Sequence, residues 1–256
     1  VHEVSEMNDT RCGTDVLDLL LNHRSIRAFR DEPVPEADLE AIIRAAQMAS
    51  TSSNMQAYCV IRVTDRRLRA ELAEIAGRQQ YVVDCPEFLV WCADLERLRI
   101  AAGLEPSVMP CNAEAYTIAA IDAALAAQNA AVAAESLGYG ICYIGAIRND
   151  IAKTAELLGL PGRVAPLFGM CVGRPDQAPL RRPRLPARAV LHENRYDASV
   201  YGGAIAEYDA AHADYLRERS GGRQSAGWSE QMRERLSRPP RRIGGFLRKQ
   251  GFDLAD

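Results

Sequence analysis

Residues 112–137 constrain the fold more than any other stretch, because a helix drawn through them is apolar on nearly every face. An amphipathic helix needs one neighbour, whereas a helix apolar all round has to be surrounded. Glu114, Asp122, Gln128, Asn129 and Glu135 interrupt the run too often for a bilayer span. The stretch is therefore predicted to be a buried helix at the centre of a globular fold, stopped by Gly138.

Around it, apolar runs predict strands at residues 58–63, 87–93, 140–147 and 164–172. Helical spacing and composition predict helices at 35–49, 65–77, 149–159, 205–219 and 229–237, with Asp65 and Asn149 as caps. Strands alternating with helices make an α/β or α+β chain. Gly138-x-Gly140 is not a dinucleotide fingerprint, because Tyr143 stands where the third glycine is needed. With 256 residues, 48% of them hydrophobic, the chain can bury a sizeable core.

Composition narrows the function classes. Net charge is −3, but residues 181–256 hold 14 Arg and one Lys against 10 acids, which leaves the rest of the chain acidic. A basic patch at one end suits a small polyanion rather than nucleic acid, whose binders usually carry a basic stripe and a pI above about 9. Seven cysteines form no C-x-x-C pair and leave one over in any disulfide scheme, so free thiols in a reducing, cytoplasmic compartment are expected. His2, His23, His192 and His212 lie far apart in sequence, and residues 192–196 do not form the H-E-x-x-H zinc pattern, so no metal is expected. Residues 1–13 are polar and lack an apolar run; they are expected to form a disordered tail, neither signal peptide nor membrane anchor.

Chemistry-bearing residues gather in three places. Residues 23–30 pack Arg24, Arg27 and Arg30 with His23 and Ser25 into one short connection, and guanidinium forks with a hydroxyl are the donors that hold a phosphate. Residues 50–54 carry small hydroxyl side chains after a helical run, poor helix formers that donate to ligands or cap backbone. Arg182 and Arg184 flank Pro183 in an extended segment and project to the same side of the chain.

The 23–27 motif, followed by Phe29 and by Asp31-Glu32-Pro33, resembles the opening signature of the FMN-dependent nitroreductase superfamily. More narrowly it is similar to the oxygen-insensitive NADPH nitroreductase and flavin reductase P group, over about residues 16–252. The resemblance implies an α+β fold: a central mixed, mostly antiparallel sheet flanked by helices, in an intertwined homodimer with helix 112–137 at its interface. Residues 14–190 would form the FMN-binding core, and residues 191–256 helical arms over the partner subunit with an NADPH-capturing loop.

The same resemblance assigns residues to a non-covalent FMN. His23, Arg24, Ser25, Arg182 and Arg184 would hold its phosphate end, and Thr51, Ser52 and Ser53 would line the flavin, with Gln56 at the group's spacing. Gln79 would donate to the ring. Tyr143, Ile144, Gly145 and Ala146 would form the loop at the flavin face, Ala146 replacing a glycine. Arg27 is the candidate catalytic cation beside the reduced flavin, and Arg219, Arg223 and Arg238 would capture the 2′-phosphate of NADPH. The implied activity is ping-pong two-electron reduction of nitroaromatics, quinones or flavins, with segment 94–110 shaping acceptor choice. The alternatives are a flavin reductase supplying reduced FMN to a partner monooxygenase, and a non-catalytic flavin carrier or sensor.

Overall fold

The computed structural model describes residues 14–109 and 111–254, so the tail expected over residues 1–13 lies outside the described residues. Four strands, β1 (Tyr58–Arg62), β2 (Glu87–Asp94), β3 (Gly140–Ile144) and β4 (Val164–Gly173), make one sheet in the order β1-β2-β4-β3. Every pairing is antiparallel. The expected mixed sheet is corrected: among the described residues the parallel element is an isolated bridge between Ser25 and Ile141.

Among the described residues ten α-helices surround the sheet: α1 (Thr14–Leu21), α2 (Glu36–Gln47), α3 (Arg66–Ile75), α4 (Tyr81–Asp84), α5 (Glu96–Ala101), α6 (Ala113–Ser136), α7 (Ile151–Leu157), α8 (Tyr201–Arg219), α9 (Trp228–Ser237) and α10 (Gly244–Lys249). The period-two alternation of β2 divides the core. Leu89, Trp91 and Ala93 join the α2 and α6 side, while Phe88, Val90 and Cys92 join α3 and α4 on the other.

α6 owes its central place to small side chains. Seven of its eight buried residues are alanines, which let α2 and the sheet approach closely; the eighth is Asp122. Full burial is not reached, because Ile121 and Leu125 remain 52% and 46% exposed on the face turned away from the sheet.

Asp65 caps α3 by accepting from the Arg67 and Leu68 amides at 2.7 and 2.9 Å. Three boundaries differ from sequence expectation. Asp150, not Asn149, caps α7, while the Asn149 amide donates to the Ile75 carbonyl at 3.0 Å. β3 ends at Ile144 and a tight turn, Gly145–Asp150, follows. α8 begins at Tyr201 rather than at 205, its first turn carrying Gly202 and Gly203, which give no apolar signal.

The C-terminal end is tied into the core of its own chain. Leu247 and Phe252 are buried in the α6 core of their own chain, Phe252 meets Tyr116 edge-on at 5.2 Å, and the Asp253 amide donates to the Cys111 carbonyl. A six-residue helix is too short to show periodicity, so the sequence pattern missed α10.

The 23–30 connection is stitched to the sheet. The Ile26 amide donates to the Ile141 carbonyl at 2.9 Å, Arg30 donates to the Arg174 carbonyl, and Asp176 donates to that of Ala28. This ladder draws the segment after β4 back beside residues 23–27. Gly140 permits the close approach, since a Cβ there would lie 2.4 Å from Ile26 Cγ1. Gly140→Val should therefore cost roughly 1–3 kcal/mol through overpacking and loosen the connection. Urea unfolding measures it, and an unchanged midpoint would contradict the packing argument.

Candidate functional site

His23, Arg24, Ser25 and Arg27 line one cavity of about 240 Å³ together with Arg182, Arg184 and Arg219. Three separate parts of the chain deliver them: the 23–27 connection, the extended segment after β4, and the last turn of α8. Tyr208 pins that segment, its hydroxyl donating to the Pro183 carbonyl at 2.9 Å. The Arg182 guanidinium lies 5.7 Å from the centre of the Tyr215 ring, and Arg184 donates to the Arg182 carbonyl at 2.9 Å.

The cavity is strongly cationic. None of Arg24, Arg27, Arg182, Arg184 and Arg219 forms an ion pair among the described residues, and Arg24 Nε is buried without a hydrogen-bond partner there. A buried donor left unpaired costs about 1–3 kcal/mol, so the cavity is built to receive acceptor oxygens. Arg27 also reaches towards α4. Burial raises the Tyr81 phenol and the Cys142 thiol, and the Arg27 charge opposes both shifts.

The other expected site residues lie outside this cavity. Thr51, Ser52 and Ser53 form a loop with left-handed backbone at Ser53, Asn54 and Gln56 (φ of 47°, 57° and 51°). Non-glycine residues rarely hold that conformation without support. The support is Asp122, 1% exposed, whose Oδ1 accepts from the Ser52 amide at 3.1 Å and Oδ2 from the Ala57 amide at 3.0 Å. Thr51 Oγ1 accepts from the Gln56 amide at 3.3 Å.

Gln79 is half-buried between α3 and α4, its carbonyl accepting from the Val82 amide. The Tyr143 hydroxyl donates to Gln128 Oε1 at 3.4 Å, and burial, reinforced by the Glu135 charge, pushes its phenol well above the ordinary value. The Ile144 side chain is buried in the core cluster that holds Phe88, so its backbone is the part that can meet a ligand. Gly145 and Ala146 lie in the turn after β3.

The three arginines expected to capture a nucleotide phosphate do not converge. Arg219 lines the cationic cavity. Arg223 donates to the Ser220 carbonyl at 2.9 Å, and Arg238 pairs with Glu234 one turn back on α9.

Two residues escaped sequence reading as site components. Asp122 holds the 52–57 loop, and Glu135 Oε1 lies 2.6 Å from His23 Nδ1, orienting the imidazole beside the cavity. The available signal was their position as lone acids in an alanine-rich helix.

A model of the Nitroreductase family matches residues 20–174, and one of the family's C-terminal domain matches residues 182–255. The chain belongs to the nitroreductase family. It is 41% identical to an FMN reductase (NADPH) of Bacillus subtilis, across 93% of this chain and 98% of that one. With an oxygen-insensitive NADPH nitroreductase of Salmonella typhimurium it shares 44% identity across 92% and 97%. The solved structure of NfrA1 from B. megaterium superposes with a TM-score of 0.89 at 41% identity, covering 93% of this chain and 99% of that one.

Within this nitroreductase-family fold, Asp122→Asn tests the loop anchor. The amide would set an N–H against a backbone N–H, leaving a buried donor unpaired at about 1–3 kcal/mol. The expected outcome is a lower unfolding midpoint with earlier proteolysis within residues 51–57. Unchanged cleavage there would remove Asp122 from that role.

Proposed function

We propose that this chain is an NADPH-dependent FMN oxidoreductase that reduces nitroaromatics, quinones or flavins by two-electron transfer. The observation that carries the reading is the convergence of five arginines with Ser25 and His23 on one cavity, with the Arg24 Nε donor unpaired. This donor set fits the dianionic phosphate of FMN. Arg24, Ser25, Arg182 and Arg184 would hold that phosphate, and His23 would be oriented towards it by Glu135.

When bound, the flavin supplies the redox chemistry, taking hydride from NADPH and returning two electrons to the acceptor. The chain supplies position and charge. The Asp122-anchored loop carrying Thr51, Ser52 and Ser53, together with Gln79 and the backbone of residues 143–146, would line the ring. Arg27 would stabilise negative charge on it.

A homodimer completes the reading. Ile121 and Leu125 form an uncovered apolar stripe on α6, and α1 adds exposed Val16, Leu17, Leu20 and Leu21. A surface of this kind marks a protein interface. The odd number of cysteines, with Cys85, Cys92, Cys111, Cys142 and Cys171 buried as free thiols, supports a cytoplasmic setting. For the nucleotide, Arg223 is the exposed cation at the loop where Gly221 and Gly222 take φ of 61° and 86°, backbone freedom that lets the loop close.

Purified protein should be yellow or become so with FMN, and Arg184→Ala should weaken FMN binding roughly ten- to a hundredfold, the worth of one charge-assisted contact. A wild type that binds no FMN in fluorescence titration would sink the proposal. Ile121→Asp combined with Leu125→Asp should shift sedimentation from dimer to monomer and release flavin; a flavin-retaining dimer would refute the interface. Arg223→Ala should lower kcat/KM with NADPH about tenfold and barely change it with NADH. Equal losses with both nucleotides would withdraw Arg223 from 2′-phosphate recognition.

A further inference from the structure

A second cationic cleft, of about 310 Å³, opens between the 145–150 turn and α10, sharing no lining residue with the arginine cavity. Arg148, Arg242 and Lys249 supply its charge, and Ile151 and Phe246 give it an apolar wall. Arg241 stands beside it, its Nε donating to Asn149 Oδ1 at 2.9 Å. Asp150, the acid on its rim, already accepts from the Lys153 amide as the cap of α7.

The charges are uncompensated. None of Arg148, Arg241, Arg242 and Lys249 pairs with a carboxylate among the described residues. Arg148 is half-buried and donates to the Leu167 carbonyl. Its burial, with the neighbouring Arg241 charge, holds its pKa below the ordinary guanidinium value. A partly desolvated cation without a counter-ion gains when an anion arrives. Arg148 also lies against Gly145, where a Cβ would come 3.3 Å from its Nη2, so the cleft adjoins the turn assigned above to the flavin face.

We propose that this cleft binds the anionic group of an aromatic electron acceptor, making arene carboxylates preferred substrates. The ring would rest on Phe246 and Ile151 while the carboxylate meets Arg148, Arg242 and Lys249. The cleft's volume lies within the roughly 300–1,000 Å³ of small-molecule pockets. The inference rests on the flavin reading and adds to it the class of acceptor.

The test uses FMN-loaded protein at saturating NADPH, with 4-nitrobenzoate and its neutral isostere 4-nitrobenzamide as acceptors. Wild type should favour the benzoate in kcat/KM by roughly tenfold, about the worth of one charged contact. Arg242→Ala and Lys249→Ala should each lower that preference several-fold through KM for the benzoate, leaving the benzamide unchanged, and Arg242→Lys should restore most of it. Sulfate should compete with the benzoate alone. Equal losses with both acceptors, or a rise in KM for NADPH instead, would overturn the proposal, the latter placing a nucleotide phosphate in the cleft. No preference between the acceptors in wild type would overturn it while leaving the flavin reading standing. No turnover of either, with no bleaching of the bound flavin by NADPH, would overturn the flavin reading itself.

Discussion

The structure hangs on the polar residues set into an otherwise alanine-rich helix. Asp122 holds the 52–57 loop, Asn129 donates to the Ala45 carbonyl at the end of the helix leading into that loop, Gln128 accepts from Tyr143, and Glu135 orients His23. Each of these bonds reaches a different segment of the candidate site. Asp122 is fully buried, and a buried polar group is costly unless satisfied, so it fixes the loop at a defined place, while the half-buried Asn129 and Glu135 and the exposed Gln128 add bonds around it. The alanines between them bring the helix close enough to the sheet for these short side chains to reach. One helix thus sets both the packing distance of the core and the relative positions of the site segments.

Charge is distributed differently. Carboxylates sit where they serve structure, as in the bridge joining Glu96 to Arg99 and Arg163, which holds the Glu96 carboxyl down to about 2. The arginines around the two cavities have no such partners among the described residues. That asymmetry separates guanidiniums that brace the fold from those available to a ligand, and it follows no rule of local sequence. Arg163 and Arg182 look alike in the chain, yet one is spent on an internal ion pair and the other faces a cavity.

Much of the architecture was legible in the sequence, because strands and helices write their periods into apolar spacing. All four strands, the alanine helix and the Asp65 cap follow from pattern. Elements whose burial depends on few or polar-tipped residues were less legible: α10 and the turn behind it bury chiefly Leu247 and Phe252, and α8, which buries Tyr208 and His212, shows in the sequence only from residue 205. The arginine cradle was half legible, since Arg24 and Arg27 stand together while Arg182 and Arg184 lie far along the chain. Arg219, still farther along, is the arginine that the sequence groups with a separate nucleotide site.

What the sequence determined by itself was therefore the inventory: a central helix that had to be covered, strands to cover it, and basic groups suited to a phosphate. The tertiary structure alone decided which of those groups meet. That choice is made by contacts distant in sequence, the bond from Ile26 to Ile141 across Gly140 and the pairing of residues 28–30 with residues 174–176. Such contacts leave no periodic trace, because their strength depends on close approach between surfaces that only the folded chain brings together.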